Sequence, residues 1–560
     1  MPTSWPHVIS TIMDQVQKES PNSVLDVGIG FGKYGVLLRD VLELPYERYH
    51  KSEWRVKIDG VEAFRGYKNP LYDYIYDRVY FGDITDIIDS LGTYDMILLI
   101  DVLAHFDKQT GRKLLRKLAK HANKSVIIST PLYPEAQAEY LGNHLEEHKS
   151  RWAITDFFEF DFSILNIPIG KNVAQVIHLF TNEQPNRGYP VFDSLVGEEP
   201  SKRLTLGYIL PHDRLTGGLK MLLEQMKHLR KRGHRIVAVR KGTGNGGVTP
   251  SWYNASFDEE ILVPPEQGYE RYVNDCDLLI AGWMSQIPDL LRCSVPTLYW
   301  EQGNEWIFGY CNDLSRNASI RQHLKHCYSL PCFLAAVSPT VARIIERRYG
   351  RRPFVLPNGI DTDLYHPQEH HNANTILLVG NPTLGFKGFN VALKALEKVW
   401  RSGRRFKVNW VCQAEPKVSG ISFPLKPITN STQAQLASYY RTADIFLFTS
   451  WYEGFGMPPL EAMASGVPVI TTGCGGVDTY VVAGQNALVA DPGDIDSIAY
   501  AVAFLLENRQ ARSVLAAKGR ETALKFSFDK VAVQAESLFN RVVSTYRDVI
   551  RSEHTGKWEG

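Results

Sequence analysis

The sequence predicts an α/β protein made of three Rossmann-like units, each a doubly wound parallel sheet covered by helices. Short apolar runs of β type alternate with amphipathic helical stretches, and this alternation stops and restarts twice along the chain. Glycine-rich turns directly follow several of the apolar runs, as expected where a strand leads into a helix. At 560 residues the chain is too long for one hydrophobic core, so several domains are expected.

The first unit is predicted over residues 1–182. Its apolar runs are VLDVG (24–28), DGVEAF (59–64), YDMILLID (94–101) and SVIIST (125–130). The stretch KQTGRKLLRKLAKHA between the last two has apolar residues at helical spacing and a basic outer face, which we interpret as solvated rather than as a binding surface. A polar segment rich in Pro, Gly, Asn and Glu then predicts a linker at 183–203.

The alternation restarts twice after the linker. The second unit, 204–365, contains LTLGYIL (204–210), RIVAVRKG (235–242), DLLIAGW (277–283), TLYWEQG (297–303) and FLAAVS (333–338). The third unit, 366–552, contains ILLVGN (376–381), VNWVCQ (408–413), ADIFLFTS (443–450) and VPVITTG (467–473). These apolar runs alternate with helical stretches in the way of parallel sheets.

Composition narrows the class of protein. A net charge of +1 argues against a nucleic-acid footprint spread over the chain. The N-terminus lacks a secretory signal pattern, and no apolar run approaches the roughly 20 residues of a membrane span. All seven cysteines lie from Cys276 onward without metal spacing, and we interpret Cys327 and Cys332 as buried thiols. We therefore expect a cytoplasmic protein without a structural metal.

The turn VLDVGIGFGKYG (24–35) raises the question of its ligand. From Gly30 to Gly35 it matches the spacing G-x-G-x-x-G of a dinucleotide site, where a helix N-terminus meets a pyrophosphate. Asp26 at the end of the preceding strand would repel two phosphates. It suits a ligand that carries an ammonium and a sulfonium, such as S-adenosylmethionine.

Two further acidic residues lie at or near strand ends, where their carboxylates can contact polar groups of the same ligand. Glu62 ends the next strand, where a carboxylate can accept both ribose hydroxyls, and Asp83 in FGDIT is placed for an adenine amino group. Together VLDVGIGFG, GVEAF, FGDI and LLIDVLAHF resemble class I S-adenosylmethionine-dependent methyltransferases over residues 20–180. The resemblance implies S-adenosylmethionine as cofactor, with the following contact residues: Asp26, Gly28, Gly30, Gly32, Glu62, Asp83, Ile84 and Asp101.

The first unit departs from that family at one position. Many relatives read D-V-L-E-H-F where this chain has DVLAHF (101–106), so Ala104 replaces a carboxylate. His105 is predicted as a general base, with a structural role as the alternative. His144 and His148, in LGNHLEEHKSRW, are candidates for contact with the methyl acceptor.

A second site is indicated by WYEGFGMPPLEAMASGVPVITT (451–472). The two prolines predict the start of a helix, which places Glu461 inside the helix and Glu453 on the loop before it. Glu461 could merely complement the helix dipole. Alternatively, both carboxylates could accept hydrogen bonds from a sugar and a ribose.

Other segments favour the sugar-binding interpretation. Gly217 and Gly218 open a helix after LTLGYIL, where backbone N–H groups can meet phosphate oxygens. Lys387 in GFKG supplies a cation for a leaving diphosphate. The turn Gly475–Gly476 follows a strand end.

Together these segments resemble the GT-B glycosyltransferases, most closely the retaining family 4, over residues 204–550. The matching motifs are TGGLKMLLEQMKHLRKRGHRI, AVSPTVARII, LPNGIDTDLYHP, the GFKG lysine, the Glu453/Glu461 pair and GGVDTYVVAGQNALVADPGD. The resemblance implies a nucleotide-sugar donor (UDP- or GDP-linked), no metal, and a last helix (530–552) that crosses back onto the second unit. Glu461 would hold the ribose, Glu453 would lie beside the sugar, and Lys387 would bind the diphosphate. The implied donor-binding residues are Gly217, Gly218, Asn358, Gly359, Lys387, Glu453, Gly454, Phe455, Gly456, Glu461, Gly475 and Gly476.

Relatives usually carry a second cation, in G-R, where this chain has Gly380-Asn381-Pro382, so Lys387 acts largely alone. Glu305 in YWEQGNEWIF is the acceptor-side candidate of this site. The stretch 221–235 combines apolar and basic residues. We interpret it as a packed helix with a solvated basic face, with peripheral contact to an anionic membrane as the alternative.

The sequence therefore predicts a bifunctional enzyme that glycosylates a hydroxyl of a glycan or glycolipid and methylates the product or acceptor. One alternative is a glycosyltransferase whose first unit binds S-adenosylmethionine without transferring methyl. The other is a glycan-binding module or hydrolase that uses the Glu453/Glu461 pair, although a hydrolase has no use for Gly217, Gly218 and Lys387.

Overall fold

The computed structural model describes residues 4–134, 143–170, 172–181, 202–243, 247–309, 318–368 and 374–555. Contacts divide the chain into two compact units. The first comprises Met1–Gln184 with Phe308–Arg321, and the second comprises Pro185–Ile307 with Gln322–Gly560. The predicted α/β class with several parallel sheets is confirmed, since the strands form sheets of seven, seven and six strands. The predicted linker lies almost wholly outside the described residues.

The first unit alternates strands and helices up to its final hairpin. In chain order it contains α1 (Ile9–Glu19), β1 (Ser23–Val27), α2 (Lys33–Leu42), β2 (Lys57–Glu62), α3 (Leu71–Ile75), β3 (Arg78–Phe81), α4 (Ile84–Ile87), β4 (Tyr94–Ile100), α5 (Lys108–His121), β5 (Ala122–Pro131), β6 (Asp161–Ile169) and β7 (Asn172–Phe180). Buried side chains of α1, α2 and the central strands form its core. The basic face of α5 carries surface ion pairs, such as Arg116 with Glu159, as expected of a solvated face.

The sheet of the first unit has the order β3-β2-β1-β4-β5-β7-β6. Strands β1 to β5 are parallel, whereas β7 pairs antiparallel with both β5 and β6. A dinucleotide-binding sheet of order 3-2-1-4-5-6 has no such inserted antiparallel strand. The order reverses between β1 and β4, and ligands of open α/β sheets bind outside the carboxyl ends of the strands at such a reversal.

One segment belongs to a different unit from the one that the sequence analysis gave it. Phe308, Gly309 and residues 318–321 fall within the predicted second unit, but their contacts group them with the first. The carbonyl of Gly309 accepts a hydrogen bond from the amide of Ile164, and Arg321 forms an ion pair with Asp161 at 2.9 Å. These partners lie about 150 residues away in sequence, so no local pattern could reveal them.

The second unit contains two sheets. Its first half comprises β8 (Thr205–Ile209), α6 (Gly217–Lys231), β9 (Arg235–Lys241), β10 (Glu259–Val263), α7 (Glu270–Val273), β11 (Leu278–Ala281), α8 (Ile287–Leu290), β12 (Thr297–Glu301), α9 (Ala318–Ser329), β13 (Phe333–Ala336), α10 (Pro339–Tyr349) and β14 (Phe354–Val355). The strands are parallel and have the order β10-β9-β8-β11-β12-β13-β14. Cys327 and Cys332 are buried in this half.

The other half comprises β15 (Thr375–Val379), α11 (Phe389–Arg401), β16 (Lys407–Cys412), β17 (Leu425–Thr429), α12 (Gln433–Arg441), β18 (Ile445–Phe448), α13 (Met457–Ala464), β19 (Val469–Thr472), β20 (Leu488–Ala490), α14 (Ile495–Glu507), α15 (Arg509–Ala523) and α16 (Phe528–Thr555). Its parallel strands have the order β17-β16-β15-β18-β19-β20. Both sheets of the second unit reverse their order once, between β8 and β11 and between β15 and β18.

The last helix, α16, packs against the first half of the second unit. Its apolar side chains, including Phe528, Ala535 and Phe539, belong to the same buried cluster as residues of β8 and α6. Glu536 accepts hydrogen bonds from Arg232 and, at 3.2 Å, from His234. The chain therefore completes the core of this half with its final helix. Among the described residues, no helix combines the length and apolarity of a membrane span.

Candidate functional sites

A cavity of about 470 Å³ opens at the carboxyl ends of β1 to β4, where the strand order of the first unit reverses. Residues from four strand ends line it, together with the N-terminal segment and the segment 143–149. Of the predicted residues, those lining it are Gly28, Gly30, Glu62, Asp83, Ile84, Asp101, His105 and His148. The volume lies within the range typical of cofactor sites.

The glycine turn after β1 has a backbone that other residues rarely adopt. Gly28, Gly30 and Gly32 have φ angles of 76°, 51° and 93°. A Cβ on Gly28 would lie 2.3 Å from Cγ2 of Val102, so a larger residue does not fit there. The hydroxyl of Tyr72 donates to the carbonyl of Gly30 and fixes the turn from the other side. Gly32 caps α2 and does not line the cavity.

Glu62 occupies the end of β2 beside this turn. Its Oε2 accepts from the amide of Gly30 and its Oε1 from that of Phe64, both at 2.8 Å. Burial raises the pKa of Glu62, while these two hydrogen bonds oppose the rise. The carboxylate is thus held in one position at the wall of the cavity.

The acids after β3 and β4 are also fixed locally. Asp83 caps α4, and its Oδ1 accepts from the amide of Thr85 at 2.8 Å. Asp101 has a φ of 57°, unusual for a residue other than glycine, and its Oδ1 accepts from the hydroxyl of Ser129 at 2.7 Å. Burial raises the pKa of Asp101.

Asp26 differs from the sequence-based expectation of direct ligand contact. Its carboxylate does not line the cavity but accepts a hydrogen bond at 2.7 Å from the hydroxyl of Tyr76. Burial raises its pKa to about 7. The alternation of side chains along β1 points Asp26 towards α3, below the glycine turn, so it supports the turn rather than meeting the ligand.

The segment 143–150 forms one edge of the cavity next to His105. The amides of Lys149 and Ser150 donate to the carbonyl of Ala104, at 2.9 and 3.1 Å. The ring of His105 stacks on His148 with centroids 5.1 Å apart, and its Nδ1 lies 3.2 Å from the carbonyl oxygen of Glu147. Burial lowers the pKa of His105. His144 lies in this segment without lining the cavity.

Several lining residues were not anticipated from the sequence. Glu146 is buried, and its Oε1 accepts from the hydroxyl of Tyr67 at 2.9 Å and from Asn143 at 3.2 Å. Lys33 donates to the carbonyl of Ser4 at 2.7 Å. No motif marks these residues, because their partners come from distant parts of the chain. The ionisable carboxylates and lysines that line the cavity are Glu62, Asp83, Asp101, Asp107, Glu146, Lys33 and Lys149.

The second candidate site lies where the strand order of the last sheet reverses. Lys387 follows β15, Glu453 follows β18, and their side chains meet with Nζ 2.7 Å from Oε1. The hydroxyl of Ser450 donates to the same Oε1 at 2.7 Å. Both charged side chains are less than one fifth exposed, at 18% and 12%. They form a partly desolvated pair that faces the carboxyl ends of the strands.

Glu461 lies inside α13 and Glu453 on the preceding loop. Oε2 of Glu461 accepts from the hydroxyl of Tyr440 at 2.9 Å, and Glu461 is 7% exposed. Burial raises the pKa of Tyr440 well above its usual value, with a contribution from the charge of Glu461. Tyr440, on α12, is another residue that no motif signalled.

Glycines bring three loops of the second unit close together. A Cβ on Gly454 would lie 2.3 Å from the carbonyl oxygen of Gln302, and one on Gly476 would lie 2.5 Å from the peptide of Gly454. A Cβ on Gly218 would lie 3.6 Å from the side chain of Gln302. The loop after β12 therefore reaches both the start of α6 and the loop after β18. Gly456 and Gly475, also predicted in the site, have positive φ angles of 82° and 90°.

The remaining predicted residues take other positions. Gly217 begins α6, with open space at its Cβ position. Gly359 packs against Phe528, which a Cβ would approach to 2.4 Å, and Phe455 packs against Tyr480 with centroids 5.4 Å apart. Asn358 is buried, and its Oδ1 has no hydrogen-bond partner among the described residues. Glu305 is exposed at the start of the 3-10 turn Glu305–Phe308.

Comparison with known proteins bears on the second unit. Residues 426–522 match the family described as "Glycosyl transferases group 1". The chain is 28% identical to an MMP alpha-(1->4)-mannosyltransferase of Mycolicibacterium hassiacum over 34% of this chain and 48% of that protein. It is 40% identical to an O-antigen chain mannosyltransferase B of Escherichia coli over 17% of this chain and 24% of that protein. The chain thus spans less than half the length of these two curated relatives.

The fold also resembles a solved structure. A sucrose-phosphate synthase from Thermosynechococcus elongatus aligns with a TM-score of 0.50 and 17% identity, over 61% of this chain and all of that one. The likeness concerns the fold alone. The C-terminal part of the chain thus combines a match to the glycosyltransferase group 1 model over residues 426–522 with a fold of the GT-B kind.

Proposed function

We propose that the second unit transfers a sugar from a nucleoside diphosphate donor to a hydroxyl, with retention of configuration, in the synthesis of a glycan or glycoconjugate. The observation that carries the proposal is the Lys387–Glu453 pair at the strand reversal, with the buried Glu461 on the next helix. These groups offer one cation and two carboxylates at the edge where open α/β sheets bind nucleotides.

Each group has a distinct role in this proposal. Lys387 leaves its contact with Glu453 far enough to meet the diphosphate and to stabilise the negative charge that develops on it as the sugar departs. Glu453 then accepts hydrogen bonds from the donor sugar. Glu461, held by Tyr440, accepts from the ribose hydroxyls. The N-terminus of α6 at Gly217 presents backbone N–H groups to the diphosphate.

We further propose that the first unit binds S-adenosylmethionine and transfers its methyl group to a hydroxyl of the acceptor or product. The charges of the cavity support this ligand over a dinucleotide. Five carboxylates and two lysines line the cavity, an environment that favours a cationic ligand and opposes a pyrophosphate. At Gly28 a Cβ would strike Val102, so only glycine lets the turn after β1 pack against the residue that follows Asp101 at this wall of the cavity.

Different residues of this cavity are proposed to contact different parts of the ligand. Glu62 is placed for the ribose hydroxyls, and Asp83 with Ile84 for the adenine ring. S-adenosylmethionine supplies, when bound, a methyl group carried on a sulfonium. His105 lines the cavity and acts as the general base for the acceptor hydroxyl; burial lowers its pKa, which favours the neutral imidazole that a base needs.

A second candidate function for the first unit is binding without methyl transfer. Ala104 favours it, since its side chain is buried and its position carries no carboxylate. Glu146 provides a buried carboxylate from another segment, so the cavity does not lack an acid. The two candidates differ in whether S-adenosylhomocysteine forms when a glycan acceptor is present.

The test is a thermal-shift panel on the purified protein with S-adenosylmethionine, S-adenosylhomocysteine, UDP, GDP and their common sugar conjugates. A ligand at 100 times its Kd stabilises the folded protein by about 2.7 kcal/mol. We expect stabilisation by S-adenosylhomocysteine and by one nucleotide, which identifies the donor base. No response to any nucleotide contradicts the sugar-transfer proposal, and no response to the adenosyl ligands contradicts the proposal for the first unit.

A further inference from the structure

We propose that Trp283 and Trp306 form a platform for a sugar ring of the acceptor, beside the donor site of the second unit. The inference rests on the proposed sugar transfer and names the class of acceptor: a saccharide whose pyranose ring stacks on an aromatic side chain. The two tryptophans with Ser285, Glu305 and His323 are called the tryptophan platform below.

The indole rings of the platform are paired and accessible. Their centroids lie 6.3 Å apart with an interplanar angle of 62°. Trp283 is 37% exposed, and Trp306 is half-buried. An edge-to-face pair leaves one ring face free for a third partner. Contiguous apolar surface that stays accessible in a folded protein is one sign of a binding site.

Both rings stand on turns that hydrogen bonds hold rigid. Oε1 of Gln286 accepts from the amides of Gly282 and Trp283, both at 3.0 Å. The amide of Trp306 donates to Oδ1 of Asn304 at 3.1 Å. Asn304 is tied to the buried Glu301 by its own amide at 2.9 Å. Because the turns are already ordered, binding of a ligand on these rings costs little conformational entropy.

The platform lies close to the donor site. Trp283 follows β11 and Trp306 follows β12, so both stand at the carboxyl edge of the sheet, as Gly217 does after β8. Gln302, whose carbonyl oxygen meets Gly454, precedes Trp306 by four residues. Four residues span at most about 14 Å. Trp306 therefore lies within about 14 Å of Gln302, which meets the residue after Glu453, and we propose that a saccharide on the platform presents its hydroxyl to the donor sugar there.

Polar groups at the rim match the hydroxyls of a saccharide. The hydroxyl of Ser285 lies 3.1 Å from Nε2 of His323, and both residues are exposed. Glu305 is also exposed, one residue before Trp306. A pyranose has one face of C–H groups for the indole ring and a rim of hydroxyls for such polar side chains.

An anionic lipid surface fits this place less well. The carboxylate of Glu305 would repel it. The basic residues of α6 are partly neutralised, since Lys227 pairs with Glu224 and Arg230 with Asp258. The charges therefore favour a neutral saccharide over an anionic bilayer as the occupant.

The probes are the methyl pyranosides of glucose, galactose, mannose and N-acetylglucosamine at 50 mM, observed by saturation-transfer NMR with the full-length protein. We expect at least one pyranoside to show transfer concentrated on the protons of one ring face. Trp283→Ala and Trp306→Ala should each weaken that binding about three- to tenfold, and Trp283→Tyr should retain most of it. Tyr500→Ala, at an aromatic residue that is 75% exposed elsewhere, is the control and should bind as the unmodified protein does.

Three outcomes overturn the inference: no transfer to any of the four pyranosides, equal transfer in the tryptophan variants, or tryptophan-dependent sedimentation with phosphatidylglycerol vesicles without saccharide binding. Thermal unfolding of each variant shows whether it is folded. The thermal shift of the unmodified protein with UDP and GDP separates the two proposals. A nucleotide response without saccharide binding contradicts the platform alone, whereas no nucleotide response contradicts the sugar-transfer proposal.

Discussion

The ammonium of Lys387 lies 2.7 Å from Oε1 of Glu453, and the two residues come from loops that follow adjacent strands. The cation proposed for the leaving diphosphate is therefore held by the carboxylate proposed for the sugar. Each residue neutralises the other in a partly buried place, and removal of one leaves the charge of its partner without compensation.

Replacement of Lys387 tests the electrostatic part of sugar transfer. Lys387→Met should lower the rate of nucleoside diphosphate release from the sugar donor by about 10²- to 10³-fold, because the developing charge loses its cation. The measurement is a coupled assay of nucleotide release. Lys398→Met, at a surface lysine paired with Asp496, should keep the original rate. An unchanged rate in Lys387→Met contradicts the role of this residue.

Glu461 can be tested through the ribose it is proposed to hold. Glu461→Gln should weaken binding of the nucleoside diphosphate about ten- to a hundredfold, since hydrogen bonds to a charged group contribute about 1.5–3 kcal/mol. The 2′-deoxy nucleotide should bind the variant and the unmodified protein more nearly alike. Isothermal titration calorimetry gives the four affinities.

The Tyr440 hydroxyl supports Glu461, so Tyr440→Phe should weaken the same binding by a smaller factor. Tyr439→Phe is a matched control one residue away on the same helix, where the side chain is half-buried. If both tyrosine variants bind equally well, the hydrogen bond between Tyr440 and Glu461 has no part in nucleotide binding.

Gly28 tests the adenosyl site by steric fit. Gly28→Ala places a Cβ 2.3 Å from Val102 at a φ of 76°, and we expect calorimetric titration to show no S-adenosylhomocysteine binding. The double variant Gly28→Ala/Val102→Ala removes the clash but keeps about 1–2 kcal/mol of backbone strain, so binding should return in part. Gly92→Ala, where a Cβ meets nothing within 4 Å, should bind normally. Normal binding of S-adenosylhomocysteine by Gly28→Ala would falsify the prediction that this site requires glycine at position 28.

The raised pKa of Asp26 determines in which direction its contribution to the free energy of unfolding changes with pH. Its pKa is raised to about 7 in the folded protein, from the usual 3.8 of an aspartate, because the carboxyl is buried. Between these two values the folded state binds more protons than the unfolded state, so this contribution to the free energy of unfolding falls as the pH rises from about 4 to 7. Asp26→Asn, which can still accept from Tyr76, should be the more stable protein at pH 7.5.

Urea unfolding at pH 5 and pH 7.5 compares Asp26→Asn with the unmodified protein. The difference in unfolding free energy should grow with pH and reach on the order of a few kcal/mol. Glu62 and Asp101 are present in both proteins, so the effect of their own burial is common to both. The repulsion between Asp26 and Glu62 disappears with the Asp26 charge and is part of the measured difference. A difference that is the same at both pH values contradicts the raised pKa of Asp26.

The sequence anticipated the features that depend on local patterns. The two prolines in GMPPLEAMA placed Glu461 in a helix and Glu453 before it, because proline suits only the first turn. The alternation of apolar runs predicted parallel sheets. The antiparallel hairpin of β6 and β7 was not anticipated. Gly170, with a φ of 57°, lies between the two strands, but a single glycine between apolar runs does not by itself distinguish a hairpin from another turn.

Features that depend on contacts between residues far apart in the chain could not be predicted from the sequence. The interaction of Asp26 with Tyr76 joins residues 50 positions apart. The expected contact of Asp26 with the ligand followed from its place in a motif, whereas the direction of its side chain depends on where α3 packs. Glu146, Tyr440 and the Trp283–Trp306 pair likewise arise from tertiary packing.

The position of α16 has a consequence for how the protein is made. The core around β8 and α6 includes Phe528, Ala535 and Phe539, which leave the ribosome long after the sheet to which they belong. At about 5–20 residues per second, the roughly 170 residues between β14 and α16 take about 9–35 s to synthesise. During that interval the nascent chain exposes the apolar groove of the sheet that the last helix will cover. Truncation before Phe528 would leave that groove open permanently, so shortened forms of this chain should aggregate or be bound by chaperones.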